Sequence, residues 1–480
     1  MKTISKTIMM AAMFVFGFTA IASAQYLKVS PDQYAVKFTD KDNNGYSLDH
    51  PEKFLTQKAL DRRAKYQIAI DNYDLPVNQT YVDSLKSLGF RVQGTSRWLN
   101  CAVIQTKDPN NLQKLKALSF IAQDYQWIVA KNEPKEPQPP IRRPRLREGF
   151  FTLYGAVYDY GEGWDQMGML NICRTHVTFG GEDMAVAVLD DGFYKADQLK
   201  CFEPLQQEGR VLGVYDFVDN DSTVYDCGVH GMQVLSCLAG KWDYHLVGTA
   251  PEAGVYLFRT EDDATENILE EFLWAFAAET ADSLGVDMIF SGVEHHIFDD
   301  TSASYRREQC DGNTAISDIA ADRAASKGIV VIANAGDNGD DFRYPWVSSP
   351  ANADSVLAVG GVNRDKKLSF TSSIGPTADG RIKPDVCALG VRTAVQDTTD
   401  QITYATGTSY AAATLAGCVL CLMQQHPKAT VMEILMAVRV SGDRHNNPDN
   451  EFGYGIPDFE LADKILDLID TIRYYKNKQN

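Results

Sequence analysis

Three short segments of the chain carry the residue types of a hydrolase that uses a nucleophilic side chain. Asp190 follows the apolar run Met184–Leu189. His230 begins a helical pattern, and Ser409 lies in the small-residue segment Gly407–Ala413. A serine hydroxyl becomes a nucleophile when a histidine takes its proton and an aspartate orients that histidine. Each segment alone is common as a cap or a turn, so it is the set of three, in the order Asp, His, Ser, that indicates acyl transfer.

The patterns around these residues predict elements that would position them. Continuous apolar strands alternate with helices from about residue 150 to 470, which predicts a mainly parallel sheet with helices on both faces. Reactive groups in such folds lie at the carboxyl ends of strands and at the starts of the following helices. The predicted strands are Met184–Leu189, Val255–Arg259, Asp287–Phe290, Ile329–Ala333 and Val356–Val362, and the predicted helices are 230–239, 266–283, 314–327, 409–425, 430–440 and 458–475.

Three of these segments resemble the signatures of a known family. Val186–Gly192, His230–Ser236 and Gly407–Ala411 are similar to the three signatures of the subtilisin-like serine peptidases, the subtilases. The resemblance extends over roughly residues 150–465. It implies an α/β fold of the subtilisin type, with a mainly parallel sheet covered by helices on both faces.

The resemblance also implies a role for each of the three residues. Asp190 would orient His230, His230 would act first as base and then as acid, and Ser409 would be the nucleophile. The substrate would be a polypeptide, cleaved through an acyl-enzyme on Ser409. This chemistry requires no cofactor. The sequence indicates no metal site, and no structural calcium site is identified in it.

Residues 25–131 predict a second, smaller domain. Strand and helix patterns in this range predict an α+β module of the split βαβ, or ferredoxin-like, kind. Next to a subtilase, such a module resembles a propeptide, which implies a folding aid and an intramolecular inhibitor of the same chain. The predicted strands are Tyr34–Phe38, Arg91–Gln93, Leu99–Thr106 and 119–125, and the predicted helices are 51–66, 79–88 and 109–117.

Two further segments complete the predicted organisation. Residues 1–24 have two lysines, an apolar run and a small-residue end, which is typical of a cleaved signal peptide and predicts export to the periplasm or the medium. Residues 132–149 contain five prolines and a cluster of arginines, which predicts an exposed linker or a processing site. The peptidase domain would then cover residues 150–480. No later segment has the length of a membrane span, so we expect no membrane contact after signal cleavage.

The predicted oxyanion hole departs from the family pattern. Asp337 lies where the family has an asparagine that donates a hydrogen bond to the oxyanion. An ionised carboxylate only accepts, so it would repel the oxyanion. Two alternatives remain open: Asn338 replaces it through a shift of the loop, or Asp337 is protonated in a dry site.

The predicted substrate-binding strand departs from the pattern as well. It covers Ser291, Gly292, Val293 and Glu294, and glutamate stands where the family has a glycine. We expect that side chain to add bulk and charge where a peptide backbone should lie. His295 and His296 follow directly, and adjacent histidines in a strand point to opposite faces, so exposed loop histidines are favoured over a metal site.

Composition excludes other classes of partner. The formal net charge of −18 argues against binding to nucleic acid or to an anionic membrane surface. The nine cysteines leave the disulfide pairing open: Cys227 and Cys237 could form a bridge, whereas Cys418 and Cys421 fit buried thiols inside an apolar helix.

Two functions compete on this sequence. An exported serine endopeptidase is favoured by the complete set of Asp190, His230 and Ser409. A catalytically impaired pseudopeptidase that binds peptides is favoured by Asp337 and Glu294. An α/β hydrolase is excluded, because its Gly-x-Ser-x-Gly turn and its order of Ser, Asp and His are missing.

Overall fold

A computed structural model of the protein describes residues 25–127 and 157–479. The predicted signal peptide, residues 1–24, and the predicted linker, residues 132–149, lie outside these ranges. Within them, no helix has the length and apolar character needed to cross a membrane. All nine cysteines belong to the described ranges and each has a free thiol, so Cys227 and Cys237 form no bridge.

Strands and helices alternate through most of the chain, as the apolar patterns predict. The strands are β1 (Tyr26–Ser30), β2 (Gln33–Lys37), β3 (Arg91–Ser96), β4 (Cys101–Gln105), β5 (Ala185–Asp190), β6 (Val211–Asp216), β7 (Lys241–Trp242), β8 (Leu246–Val247), β9 (Gly254–Arg259), β10 (Met288–Ser291), β11 (Val330–Asn334), β12 (Val356–Val362), β13 (Val386–Leu389), β14 (Thr393–Gln396) and β15 (Ile402–Ala405). The α-helices are α1 (Gln57–Tyr66), α2 (Gln79–Ser87), α3 (Trp164–Leu170), α4 (Glu203–Gln207), α5 (Val229–Ala239), α6 (Ile268–Leu284), α7 (Ile316–Ser326), α8 (Thr408–Gln425), α9 (Val431–Ser441) and α10 (Phe459–Gln479).

The larger sheet has seven strands in the order β13-β12-β11-β10-β5-β9-β6, and every neighbouring pair is parallel. Alternate residues of its central strand face two different cores. Val186 and Val188 pack with α5 and α8, whereas Ala187 and Leu189 pack with α6. The sheet is therefore buried on both faces by helices, which confirms the predicted fold class.

The smaller sheet is antiparallel, with the strand order β1-β2-β4-β3. Three predicted elements differ here. The strand expected at 119–125 is reduced to a single bridge between Phe38 and Ile121, because β1, which the sequence did not predict, pairs with β2 instead. The segment Pro109–Ala117 is a 3-10 helix, and only Pro51–Lys53 of the segment before α1 is helical, again as a 3-10 turn.

The small domain packs on α6 through one face of its sheet. Ala35 and Val103 belong to the same core as Phe272 and Phe276 of α6. The buried Glu279 of α6 accepts hydrogen bonds from the backbone N–H groups of Arg97 and Trp98 at 2.7 and 3.1 Å. The two domains are therefore joined by apolar contacts and by buried hydrogen bonds to Glu279.

Candidate active site

Asp190 and His230 are held in contact by the end of β5 and the start of α5. His230 Nδ1 lies 2.7 Å from Asp190 Oδ1, and Asp190 is completely buried. Because a carboxylate accepts, His230 donates from Nδ1, and in the neutral imidazole Nε2 is left as the acceptor. Asp191 fixes the start of α5, since its carboxylate accepts from the N–H groups of His230 at 3.3 Å and of Gly231 at 2.7 Å.

Electrostatics at this pair favour a charged histidine. Burial lowers the pKa of His230, but the charge and hydrogen bond of Asp190 outweigh that effect and raise it above its usual value. Burial, followed by the charge of Asp190, raises the pKa of Asp191 to about 8. The cleft therefore holds one histidine stabilised as a cation beside two closely spaced carboxyl groups.

Ser409 is the second residue of α8 and is almost fully buried. Its hydroxyl donates to the backbone carbonyl of Gly292 at 2.9 Å, and not to His230. Gly292 comes directly after β10, and a Cβ atom there would lie 1.9 Å from Asp190 Oδ2, so only glycine allows this close approach. Asp190, His230, Gly292 and Ser409 all line one cleft of about 250 Å³.

Asp337 lines the same cleft, three residues after β11. Its carboxyl group accepts from the Thr408 N–H at 3.0 Å and from the Thr408 hydroxyl at 3.2 Å, at the first residue of α8. Burial raises the pKa of Asp337, and the bonds from Thr408 oppose that effect without cancelling it. Asp337 therefore anchors the helix that carries Ser409, in an environment that favours its neutral form.

Asn338 does not line the cleft with Asp337. Its side-chain amide donates to Glu294 Oε2 and Ser348 Oγ, both at 3.4 Å, and its backbone N–H donates to Ser373 Oγ at 3.0 Å. The loop shift considered from the sequence is therefore not the conformation of this structure.

Glu294 takes a different position from the one expected. Its carboxylate accepts from the Asp337 N–H at 3.1 Å, and a Cβ atom at Gly336 would lie 2.2 Å from its Oε2. The missing side chain of Gly336 gives this carboxylate its space, so Glu294 braces the loop of Asp337. Burial, followed by the charge of Asp337, raises the pKa of Glu294 to about 7.

His295 and His296 are not exposed, contrary to the expectation from the sequence. Their exposed fractions are 1% and 4%, because the segment after β10 passes under the surface. They do point in different directions: His295 Nε2 is 3.6 Å from Glu261 Oε1, and the His296 ring packs edge-on against Tyr344. Burial lowers their pKa values to about 3 and about 4, so both rings are neutral.

The cleft is lined by far more acid than the sequence led us to expect. Eight carboxyl groups line it, with His230 as the one basic side chain among its lining residues. Four of them belong to the run after β9 that was not predicted as part of the site, although its place at the carboxyl end of a strand is a usable signal. The eight are Asp190, Asp191, Glu261, Asp262, Asp263, Glu266, Glu294 and Asp337.

Comparison with known proteins agrees with this architecture. Residues 33–140 match the Peptidase S8 propeptide domain of Bacteroidota. The chain is similar to the thermophilic serine proteinase of Bacillus sp. (strain AK1), at 29% identity over 58% of this chain and 61% of that protein. It is also similar to the serine protease AprX of Bacillus subtilis (strain 168), at 27% identity over 59% and 67%. The chain thus spans only about three fifths to two thirds of the length of these relatives.

Two solved structures share the fold. The MycP3 protease from the type VII (ESX-3) secretion system has a TM-score of 0.50 and 20% identity, over 69% of this chain and 99% of that one. A protease from Pseudoalteromonas arctica has the same TM-score and identity, over 65% of this chain and 99% of the other. Residues 181–455, more than half of the sequence, match the Subtilase family, and the chain therefore belongs to that family.

Proposed function

We propose that this protein is an exported serine endopeptidase with Asp190, His230 and Ser409 as its catalytic triad. The observation that carries the proposal is the 2.7 Å contact between Asp190 and His230 in the cleft that Ser409 lines. Export is inferred from the leader pattern of residues 1–24.

In the proposed reaction, the Ser409 hydroxyl turns from the Gly292 carbonyl towards His230 Nε2. Its proton moves to Nε2 while Oγ bonds to the substrate carbonyl carbon. Collapse of the tetrahedral intermediate breaks the C–N bond, and His230 returns the proton to the leaving amine. Water then hydrolyses the acyl-enzyme with the same histidine as base. In the neutral imidazole, which is the form present above the raised pKa of His230, Asp190 selects the tautomer whose Nε2 is free to accept.

The oxyanion that forms in this reaction would lie at the N-terminus of α8. The partial positive charge of the helix end stabilises a negative charge there. Asp337 contributes a hydrogen bond only when it is protonated, because an ionised carboxylate has no donor. Burial raises the pKa of Asp337, which supports a donating role. Because only the protonated fraction donates, we expect an activity that is weaker than that of a peptidase with asparagine at this position.

The acidic cleft favours substrates with Lys or Arg beside the scissile bond. Asp263 and Glu266 are exposed on its wall, and opposite charge attracts cationic segments from solution. The chain itself offers such a segment, since residues 142–147 contain four arginines. Trp127 is the last described residue before that segment, and its ring packs edge-on against Phe272 in the second turn of α6. Because α6 begins two residues after Glu266, the chain leaves the small domain close to the acidic wall of the cleft. We therefore propose cleavage at this stretch, which releases the domain of residues 25–131 as an inhibitory propeptide.

The test uses the full chain and two fluorogenic peptides that differ only in a central Arg-Arg or Glu-Glu pair. We expect the cationic peptide to be cleaved at least about tenfold faster at low salt, with the ratio falling as salt screens the cleft. Ser409→Ala should reduce kcat by a factor on the order of 10⁶, whereas Ser441→Ala, which removes a buried hydroxyl of α9, should leave it unchanged. Binding of peptides without Ser409-dependent cleavage would instead establish the pseudopeptidase, and equal rates for both peptides would refute the charge preference alone.

A further inference from the structure

A separate group of side chains converges beside the cleft. Glu261 follows β9, Glu270 lies in the first turn of α6, and His295 comes after β10. One potential ligand atom from each lies within 4.8 Å of the other two, and all three residues are buried. Three elements that are distant in sequence therefore bring two carboxyl groups and one imidazole to a single point.

Three polar atoms of this group, the two ring nitrogens of His295 and Glu261 Oε1, have no hydrogen-bond partner within the described chain. His295 is 1% exposed, and neither of its ring nitrogens has a hydrogen bond. Glu261 Oε1 is likewise without one, at 3.6 Å from His295 Nε2. Buried polar atoms without partners are costly to a fold and are rare, so this group calls for a ligand that binds both nitrogen and oxygen.

We propose that Glu261, Glu270 and His295 bind one divalent transition-metal ion of the zinc class. Imidazole nitrogen and carboxylate oxygen are ordinary zinc ligands, whereas calcium and magnesium take oxygen alone. Zinc with ligands at about 2.0–2.2 Å requires donor atoms closer together than 4.8 Å, so the three side chains close on the ion as it binds.

Glu270 is already oriented for this role. Its two carboxylate oxygens accept from the backbone N–H groups of Asn267 at 3.1 Å and Asp262 at 3.3 Å. Hydrogen bonds of this kind hold a ligand in place and leave its other lone pairs for the ion. The remaining clusters of potential ligands are less available, since His230 Nδ1 bonds to Asp190 and His426 Nε2 bonds to Asp463.

The ion would tie together the segments that form one wall of the cleft. Glu261 itself lines the cleft, and His295 directly follows Glu294, which supports the loop of Asp337. The role is structural: the ion stiffens the acidic wall against which a peptide lies. No step of the proposed hydrolysis passes through it, so the inference goes beyond the proposed function and is tested separately from it.

The test is a titration of the full chain in a Ser409→Ala background, which cannot cut itself. The protein is stripped with a chelator and titrated with Co²⁺, read by its visible absorption, and then with Zn²⁺, read by displacement of Co²⁺. His295→Gln is compared with His296→Gln, because the two neighbouring histidines are both buried and only His295 belongs to the cluster.

We expect one tight equivalent in the parent and in His296→Gln, and at least about tenfold weaker binding in His295→Gln. Zn²⁺ should raise the Tm of the first two proteins and not of the third. If His295→Gln does not fold, Glu261→Gln takes its place with the same expectation. Equal binding by His295→Gln and His296→Gln, a parent that binds no Co²⁺, or a site that takes Ca²⁺ in preference to Zn²⁺ would each overturn the proposal.

Discussion

The protein buries charge in two regions, and the two regions differ in how that charge is balanced. Between the small domain and the helices α6 and α7, two buried carboxylates, those of Asp74 and Asp282, are paired with cations. Asp282 accepts from Arg62 and Arg63, and Asp74 accepts from Arg63 and from Lys327 at 2.9 Å each. Lys327 and the hydrogen bonds around Asp74 keep the pKa of that carboxyl below its usual value, although burial acts the other way.

The cleft gathers eight carboxyl groups around one histidine. Burial raises the pKa of Asp191, Glu294 and Asp337, and no lysine or arginine lines the cleft among the described residues. In the interface, paired buried charges join the two domains. In the cleft, carboxyl groups without a paired cation would be stabilised by a bound positive charge. We infer that the charges of the interface hold the two domains together and that the charges of the cleft bind a cationic ligand or substrate.

The interface gives the largest expected effect on stability. Lys327→Met leaves Asp74 buried with one cation fewer, so the free energy of unfolding should fall by about 3–5 kcal/mol. Lys58→Met, in the half-exposed pair of Lys58 and Asp287, should lower it by less than ~1 kcal/mol. Urea denaturation of the Ser409→Ala chain measures both. Equal losses for the two substitutions would contradict the distinction between buried and exposed pairs.

The cleft gives the next effect, on rate. Asp337 donates below its raised pKa and loses that proton above it, so the activity of the parent relative to Asp337→Asn, in which His230 titrates as well, should fall as pH rises through this pKa. The amide introduced by the substitution Asp337→Asn would donate at every pH, and we expect a gain of up to about 10²-fold in kcat at pH 8 that shrinks towards acid pH.

The matched control for this rate effect is Asp191→Asn, in the same cleft. Asp191 bonds to the start of α5, so its change should alter kcat by less than about tenfold, with no comparable gain at pH 8. A ratio of Asp337→Asn to parent that is the same at every pH would exclude titration of Asp337 as the cause.

The smallest expected effect is on thermal stability, where substitution of Glu294 and of Glu433 should shift the Tm in opposite directions. The pKa of Glu294 is raised to about 7, so its stabilising contribution is complete below the unfolded pKa near 4.5 and is lost as pH rises through 7. Glu294→Gln should therefore gain about 1 kcal/mol at pH 8 relative to the parent, or roughly 2–4 °C in Tm, and little at pH 5.

Glu433 provides the opposite case. Burial raises its pKa, but the bonds from Thr430 and Arg473 together outweigh that effect and lower it, so its contribution is present at neutral pH and is lost in acid. Glu433→Gln should lower Tm at pH 8 and have less effect at pH 4. Melting curves of both variants at the two pH values measure these shifts. Shifts of Tm of the same sign for both variants would show that the Glu294 carboxylate, like that of Glu433, has enough stabilising partners.

Most strands and helices of the large domain, and the positions of the three proposed catalytic residues on them, could be predicted from the sequence because they follow from local patterns. β5, β9 and β12 are apolar runs, and Asp190, His230 and Ser409 lie at strand ends and helix starts, where parallel sheets gather reactive groups. Two of the seven strands, β6 and β13, were not predicted. β6 is a half-exposed edge strand containing Gly213, which weakens the apolar signal, and β13, at the other edge, has only four residues.

The surroundings of the site could not be predicted, because they depend on contacts distant in sequence. Glu294 turns inward only since Gly336 leaves room for its carboxylate. His295 is buried by packing of the segment after β10, and no local pattern marks that burial. The acidic run Glu261–Glu266 looks like an ordinary exposed loop until the fold places it on the wall of the cleft.

Covalent labelling shows whether Ser409 is a nucleophile that His230 activates. Purified protein, freed of residues 25–131 by processing, is treated with a fluorophosphonate probe at pH 6 to 9, and the modified residue is identified by mass spectrometry. We predict one adduct, on Ser409, that is absent from Ser409→Ala and reduced at least about 10³-fold in rate by His230→Ala. Processed protein that forms no adduct, or an adduct that persists in Ser409→Ala, would show that Ser409 is not the activated nucleophile.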